Sequence, residues 1–366
     1  MPVEVKANQA QVVLVGCGAP SRGMGWYHAV QMLKGKCPSA ALCYIVEPWF
    51  LGGGAEGPGG PEFAAWKKDV EASHGLEFFT SVADLPALPE GTKRMALISG
   101  RTADNPKLLS QCIDAKCTTI YLEKPGAPTV AELETMRDQA KTAGVTVLMG
   151  YNKNVCKYVR KAREYSAENG GTITFVSNNT YENTPESLGE CFERNREGMC
   201  KNMVIHELAL LVSFFDVSVD NIESCTADKE FSSCQTLKGP SGADFTDFDK
   251  IKFTIKTKTG KEVTVVGDRC GGDVSWASVE KDGKEVFRHS MPDEEDIANV
   301  TTLEKEYPGA MPYFFSQDPD YITVKEKVAA ECATGAAPEG VATIDIAVET
   351  LRVAEHLTPT LQEQLL

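Results

Sequence analysis

A lysine followed by proline at the end of an apolar run is the residue of this sequence best suited to chemistry. It occurs in Leu122-Glu123-Lys124-Pro125. An ammonium there can hydrogen-bond a substrate oxygen and stabilise a developing alkoxide. About a hundred residues earlier stands a glycine-rich turn, Val12-Val13-Leu14-Val15-Gly16-Cys17-Gly18. Glycines at a strand-to-helix turn let backbone N–H groups reach a pyrophosphate at the helix N-terminus. Gly16 and Gly18 fit the first two glycines of a dinucleotide loop, but Ser21 occupies the place of the third. The chain continues Arg22-Gly23-Met24-Gly25, so the loop reads as lengthened by about four residues, with Gly25 packing helix on strand. Ser21 and Arg22 are expected to donate to phosphate.

Glu47 ends the next apolar run and can accept both ribose hydroxyls of NAD while repelling a 2′-phosphate. That favours NAD(H), with NADP(H) possible. Ser99, at the end of a further run, and Glu123 join the expected cofactor site. His206 lies in Lys201-Asn202-Met203-Val204-Ile205-His206. A single helix over 201–215 would put Asn202 and His206 on one face, with Ile205, Leu208, Val212 and Phe215 as the buried stripe. A histidine beside a polar partner is a candidate proton carrier.

These side chains need elements to position them. Apolar runs at 12–15, 42–47, 95–99, 119–122 and 145–149, with a short strand at 76–79, read as buried parallel strands. Helices are expected between them, at 25–33, 63–74, 105–115 and 129–143. Thr129 and Glu132 form a capping box for the last. Such alternation implies a doubly wound parallel sheet, with Lys124 at the carboxyl end of a strand, where ligands bind. Residues 50–61, rich in Gly and Pro, read as a loop. After Gly150 the pattern changes to strands near 172–181, 250–258, 262–268, 274–280 and 285–289. Thr259-Gly260 and Asp282-Gly283 mark hairpins. The expectation is an antiparallel sheet in an α+β second domain, closed by helices at 322–330 and 344–356. The boundaries are 1–150 and 151–366, with the closing helix packing back on the first domain.

The sequence resembles the glucose–fructose oxidoreductase/inositol dehydrogenase (Gfo/Idh/MocA) family. The resemblance rests on the glycine loop, Glu-Lys-Pro-Gly-Ala-Pro-Thr at 123–129, Gly150-Tyr151-Asn152-Lys153-Asn154, the His206 helix and the closing helix. It implies a Rossmann domain followed by a large, mostly antiparallel open sheet that binds substrate and often forms the oligomer interface. The family's catalytic lysine and histidine map onto Lys124 and His206. Its aspartate maps onto Asn202, which cannot take a proton. The implied activity is hydride transfer between nicotinamide and a carbinol carbon of a sugar, polyol or related polar metabolite. Tyr151, Asn152, Lys153 and Asn202 would line the pocket with Lys124 and His206. Lys153 leaves open a carboxylate-bearing, imine-forming substrate, and Asn202 leaves open a dinucleotide-binding regulator without turnover.

The 366 residues suit two domains. No apolar run is long enough to span a membrane, and the N-terminal ten residues, with Glu4 and Lys6, do not read as a secretory signal. A net charge of −15 disfavours nucleic acid and anionic membranes as partners. The 12 cysteines include no Cys-x-x-Cys pair, which points to buried thiols in a reducing, cytoplasmic setting and to no metal site. A homodimer or homotetramer through the second-domain sheet is expected.

Overall fold

The computed structural model describes residues 3–366. The chain divides into two compact units, residues 1–152 with 297–347, and residues 153–296 with 348–366. The return to the first unit over 297–347 has no counterpart in the single boundary near 150 read from the sequence.

The first unit alternates strand and helix through β1 (Ala10–Val15), α1 (Met24–Leu33), β2 (Ala40–Val46), α2 (Gly60–His74), β3 (Glu77–Phe79), β4 (Arg94–Ile98), α3 (Asn105–Asp114), β5 (Cys117–Leu122), α4 (Val130–Ala143) and β6 (Thr146–Met149). The six strands form one parallel sheet in the order β3-β2-β1-β4-β5-β6. That is a doubly wound dinucleotide fold, whose order reverses between β1 and β4. β1 and β4 are buried along their whole length, apolar except for Gln11 and Arg94, which hydrogen-bond each other at 2.8 Å. The Thr129 hydroxyl accepts the Glu132 N–H at 3.3 Å and so caps α4. α2 begins at Gly60, before the expected Phe63, because Pro61 sits at its first turn, where its missing N–H costs nothing.

The second unit opens with α5 (Lys157–Asn169) and β7 (Thr172–Asn178), followed by α6 (Pro185–Arg194), α7 (Met199–Asn202) and α8 (Ile205–Phe214). Strands β8 (Ile222–Ala227), β9 (Ser233–Lys238), β10 (Asp244–Thr257), β11 (Glu262–Asp268), β12 (Ser275–Lys281) and β13 (Lys284–Met291) complete it. They form a seven-stranded sheet in the order β13-β12-β7-β11-β10-β8, with β9 also on β10. The sheet is mixed rather than purely antiparallel. β7 runs parallel to β11, while the other pairs are antiparallel. Three helices separate β7 from β8, and an intervening crossover is what a parallel pairing needs. Asp282 and Gly283 turn the β12–β13 hairpin with φ of 54° and 71°, the left-handed pair of a type I′ turn.

Beyond these lie α9 (Glu294–Glu306), α10 (Pro312–Ser316), α11 (Asp318–Thr334) and α12 (Ile344–Leu365). In the first unit α11 packs against β1, β2 and β5. The expected helix at 322–330 is the middle of α11, and the one at 344–356 is the first part of α12, which runs on to Leu365.

Candidate active site

In the first unit, the turn from β1 into α1 is shaped for close approach of a ligand's backbone-bound groups. Gly16 and Gly18 have φ of 83° and 73°, which side-chain-bearing residues rarely adopt. Gly25 lies in the first turn of α1, and a Cβ there would fall 2.1 Å from the Gly16 carbonyl oxygen. That contact is the helix-on-strand packing expected of Gly25. Ser21 takes φ 65°, and its carbonyl accepts the Met311 N–H at 3.1 Å. Arg22 is exposed.

Glu47 follows β2, and its carboxylate is already engaged. Oε2 accepts the Gly18 N–H at 2.8 Å, and Oε1 accepts the Trp49 N–H at 3.1 Å. The acid is therefore buried and aimed at the glycine turn. Both stand on a cleft of about 840 Å³, bounded by Gly16, Gly18, Glu47, Trp49, Ser99 and Lys107. The cleft occupies the carboxyl ends of β1, β2 and β4, next to the point where strand order reverses, as ligand sites in such sheets do. Its volume, the bare glycines and the oriented acid fit a dinucleotide. Trp49 is 63 % exposed; with Lys107 it is a cleft residue that the sequence reading missed, because nothing in their local pattern separates them from ordinary surface residues.

Lys124 stands two residues past the end of β5, and the Lys124–Pro125 peptide is cis. The turn is held from several sides. The Asn105 side chain donates to the Gly126 carbonyl at 2.9 Å, and the Glu123 N–H donates to Ile98 O at 3.0 Å. Gly150 makes room beneath it, since a Cβ there would lie 2.8 Å from the Tyr121 hydroxyl and 2.9 Å from the Glu123 carboxyl. Glu123 accepts from Tyr121 at 3.0 Å and pairs with His28 at 2.9 Å. Burial raises its pKa, but the His28 and Tyr121 contacts and the nearby Lys124 charge outweigh that and leave the carboxyl below its ordinary value. Tyr151 and Asn152 are fully buried in this unit, and the Asn152 amide donates to Gln317 at 2.8 Å.

The second unit carries the remaining residues. The expected single helix over 201–215 is broken. α7 ends at Asn202, and α8 starts at Ile205. Met203 and Val204 both donate to Met199 O, which tightens the chain into a turn between them. Asn202 thus ends one helix, its amide donating to Glu197 at 2.8 Å, while His206 opens the next, half-buried. The buried surface of α8 is wider than the expected stripe: it runs from Glu207 through Leu211, while Val212 and Phe215 are half-buried. Lys153 departs most from expectation. Its ammonium is buried and ion-paired with Glu207 at 2.5 Å, with Ser177 at 3.1 Å. A lysine neutralised inside its own unit gives no ground for reading a carboxylate on the substrate. Among the described residues, no group of three or more His, Cys, Asp or Glu could hold a metal ion, and no helix is long and apolar enough to cross a membrane.

The fold and the glycine cradle define a dinucleotide-binding domain of the Rossmann type. Residues 64–151 match the Gfo/Idh/MocA family model, described as an oxidoreductase family with an NAD-binding Rossmann fold. Solved structures share the architecture of both units. Scyllo-inositol dehydrogenase from Lactobacillus casei, with bound NAD(H) and scyllo-inositol, aligns at TM-score 0.68 and 13% identity over 98% of this chain and 97% of its own. Myo-inositol dehydrogenase from Corynebacterium glutamicum gives 0.66 and 15% over 98% and 96%. Myo-inositol 2-dehydrogenase from Lactobacillus plantarum gives 0.66 and 15% over 97% and 97%. No curated protein sequence matches this chain.

Proposed function

We propose that the protein is a dehydrogenase or reductase that uses NAD(H) on a carbinol carbon of a polyol, sugar or related polar metabolite. One observation carries the reading: a glycine cradle with an oriented Glu47 and a Glu-Lys-Pro turn stand at carboxyl strand ends of one parallel sheet. The polyol class is supported by the inositol dehydrogenases that share the fold.

The nicotinamide, when bound, accepts or donates the hydride. The chain's own residues do the rest. Gly16, Gly18 and the start of α1 cradle the pyrophosphate, with Ser21 and Arg22 as further donors and Ser99 and Glu123 beside them. Glu47 takes the ribose hydroxyls. Lys124 donates to the substrate oxygen and stabilises its negative charge as hydride moves. His206 takes up or returns the hydroxyl proton. Asn202 positions substrate without titrating, and Tyr151 and Asn152 shape the pocket wall.

The open face of the second sheet, which carries Thr174, Val176, Thr264, Val266, Trp276 and Ser278, supports assembly into a homodimer or homotetramer.

The test is a panel of polyols, sugars, sugar acids and imino acids, followed by NADH absorbance on purified protein. Turnover of a polyol or sugar is expected. Tight NAD binding with no turnover across the panel would make the protein a dinucleotide-binding regulator instead. Turnover confined to imino acids would replace carbinol chemistry with imine reduction.

A further inference from the structure

Two residues past the acid that faces the glycine turn, Trp49 leaves most of its indole in water. A ring 63 % exposed is the reverse of what a large apolar side chain does without a reason. Its backbone is fixed on both sides. The Trp49 N–H donates to Glu47 Oε1 at 3.1 Å, and its carbonyl accepts the N–H groups of Gly52 and Gly54 at 3.1 and 2.8 Å. The ring is seated as well. A Cβ on Gly54 would fall 2.2 Å from the indole nitrogen and 2.4 and 2.5 Å from the two carbons bonded to it. An approach in the ring plane would leave those carbons much farther off than the nitrogen. The bare Gly54 backbone therefore lies over one face of the indole, and Gly54 is buried while Gly52 and Gly53 are exposed. The next ring, Phe50, is taken up by stacking on buried Phe63 at 5.2 Å. Trp49 is not taken up in this way. Covering one glycine needs far less than an indole, and the ring stands on the wall of the cleft that also holds Glu47, Gly18 and Thr80.

We propose that Trp49 is the platform for the adenine ring of the dinucleotide, which stacks on the indole face that Gly54 leaves open. The inference rests on the dinucleotide reading of this cleft and adds to it the residue that holds the base. Glu47 takes the ribose hydroxyls, and the base is one glycosidic bond from that ribose. The Trp49 N–H is bound to the same carboxylate, so the acid and the ring are placed as one unit. An indole suits this task because a purine offers a flat π-face of similar extent, and stacking on an aromatic side chain is a main source of affinity for bases. No bond or proton changes hands in this contact. The adenine end is remote from the hydride, so stacking holds ground state and transition state alike, and it acts on affinity rather than on the chemical step.

The test uses AMP, ADP-ribose and NAD on the purified protein. AMP should quench tryptophan fluorescence, and Trp49→Phe should remove that change while Trp26, Trp66 and Trp276 remain. Trp49→Ala should weaken AMP and ADP-ribose by roughly tenfold or more, the scale of one lost base–aromatic stack, and Trp49→Phe should recover most of the loss. Gly54→Ala keeps the indole but pushes it off its seat, and should weaken AMP as well. In turnover, Trp49→Ala should raise the KM for NAD by a similar factor with kcat unchanged. AMP and ADP-ribose affinities unchanged in Trp49→Ala overturn the platform. So does a Trp49 signal that answers to protein concentration and not to AMP, which would make the ring a contact between copies. Unchanged AMP affinity in Gly54→Ala overturns the seat. A protein that binds AMP through Trp49 and turns over nothing loses the oxidoreductase reading and keeps the platform. Turnover with an NAD KM that Trp49→Ala leaves alone does the reverse.

Discussion

Lys124 is half-buried at the end of β5, where a side chain can face a ligand without holding up the core. Lys124→Met should therefore fold and bind NAD normally while kcat falls roughly 10²-fold or more, the scale of a lost electrostatic or acid–base contact. Calorimetric NAD titration alongside the rate checks both halves, and near-wild-type turnover would discard the mechanism. His28 yields a stability prediction. Its folded pKa of about 4 lies below the ordinary value of 6.5, with burial as the main cause and Lys325 second. The unfolded chain thus binds a proton that the folded one refuses as pH falls through that window. Stability should drop between pH 6.5 and 4, at up to about 1.4 kcal/mol per unit of pKa difference, and His28→Gln should flatten the slope in urea titrations. A slope of equal size in the variant would remove His28 as its source. Glu123 acts in a lower window, its depressed pKa withdrawing stability only below the ordinary carboxylate range. Gly25, Glu47 and the Lys124 turn were legible in the sequence because each sits at a fixed offset from a strand end. The His28–Lys325 hydrogen bond was not, since the two residues lie 297 positions apart.

At the scale of elements, the clearest tie in the second unit is Lys153 to Glu207, which joins the turn before α5 to α8, with Ser177 of β7 beside it. Both charges are buried. Glu207→Gln or Lys153→Met should cost roughly 3–5 kcal/mol, because each strands the other's charge. Lys153→Met with Glu207→Leu should recover much of that loss. Thermal unfolding of the three variants decides the matter, and additive losses in the double variant would contradict an ion pair that matters mainly by mutual neutralisation. The elements of the first unit were readable because fully buried parallel strands are unbroken apolar runs between helical patterns. β8 and β9 escaped notice for the opposite reason: they are only partly buried, so neither a continuous apolar run nor a strict alternation marks them. The break between α7 and α8 left no trace either, since no Gly or Pro lies between Asn202 and Ile205 and the turn uses ordinary helix formers.

For the whole molecule, the fold class and the two-part organisation followed from the change of pattern at Gly150. The return of 297–347 to the first unit did not, because a helix such as α11 shows only that it has an apolar face and not which sheet it covers. The sheet face carrying Trp276 leads us to expect a dimer or tetramer by sedimentation equilibrium. Trp276→Glu should shift it toward monomer, and a wild type that sediments as monomer at high concentration would end that expectation. Cofactor choice also belongs to this scale, since it joins β2 to the glycine turn. NAD should bind at least tenfold more tightly than NADP, a difference of about 1.4 kcal/mol.

Glu47 meets its backbone N–H donors inside the protein rather than in solvent. Mobile ions screen exposed charges over about 10 Å at moderate ionic strength and buried ones much less. The preference for NAD should then survive in molar salt, whereas any help that NADP receives from exposed Arg22, or from exposed Arg101 on the cleft wall, should fade there. Cofactor titrations in dilute and concentrated salt would show discrimination that holds or widens. Discrimination that vanished would place the choice on the surface instead.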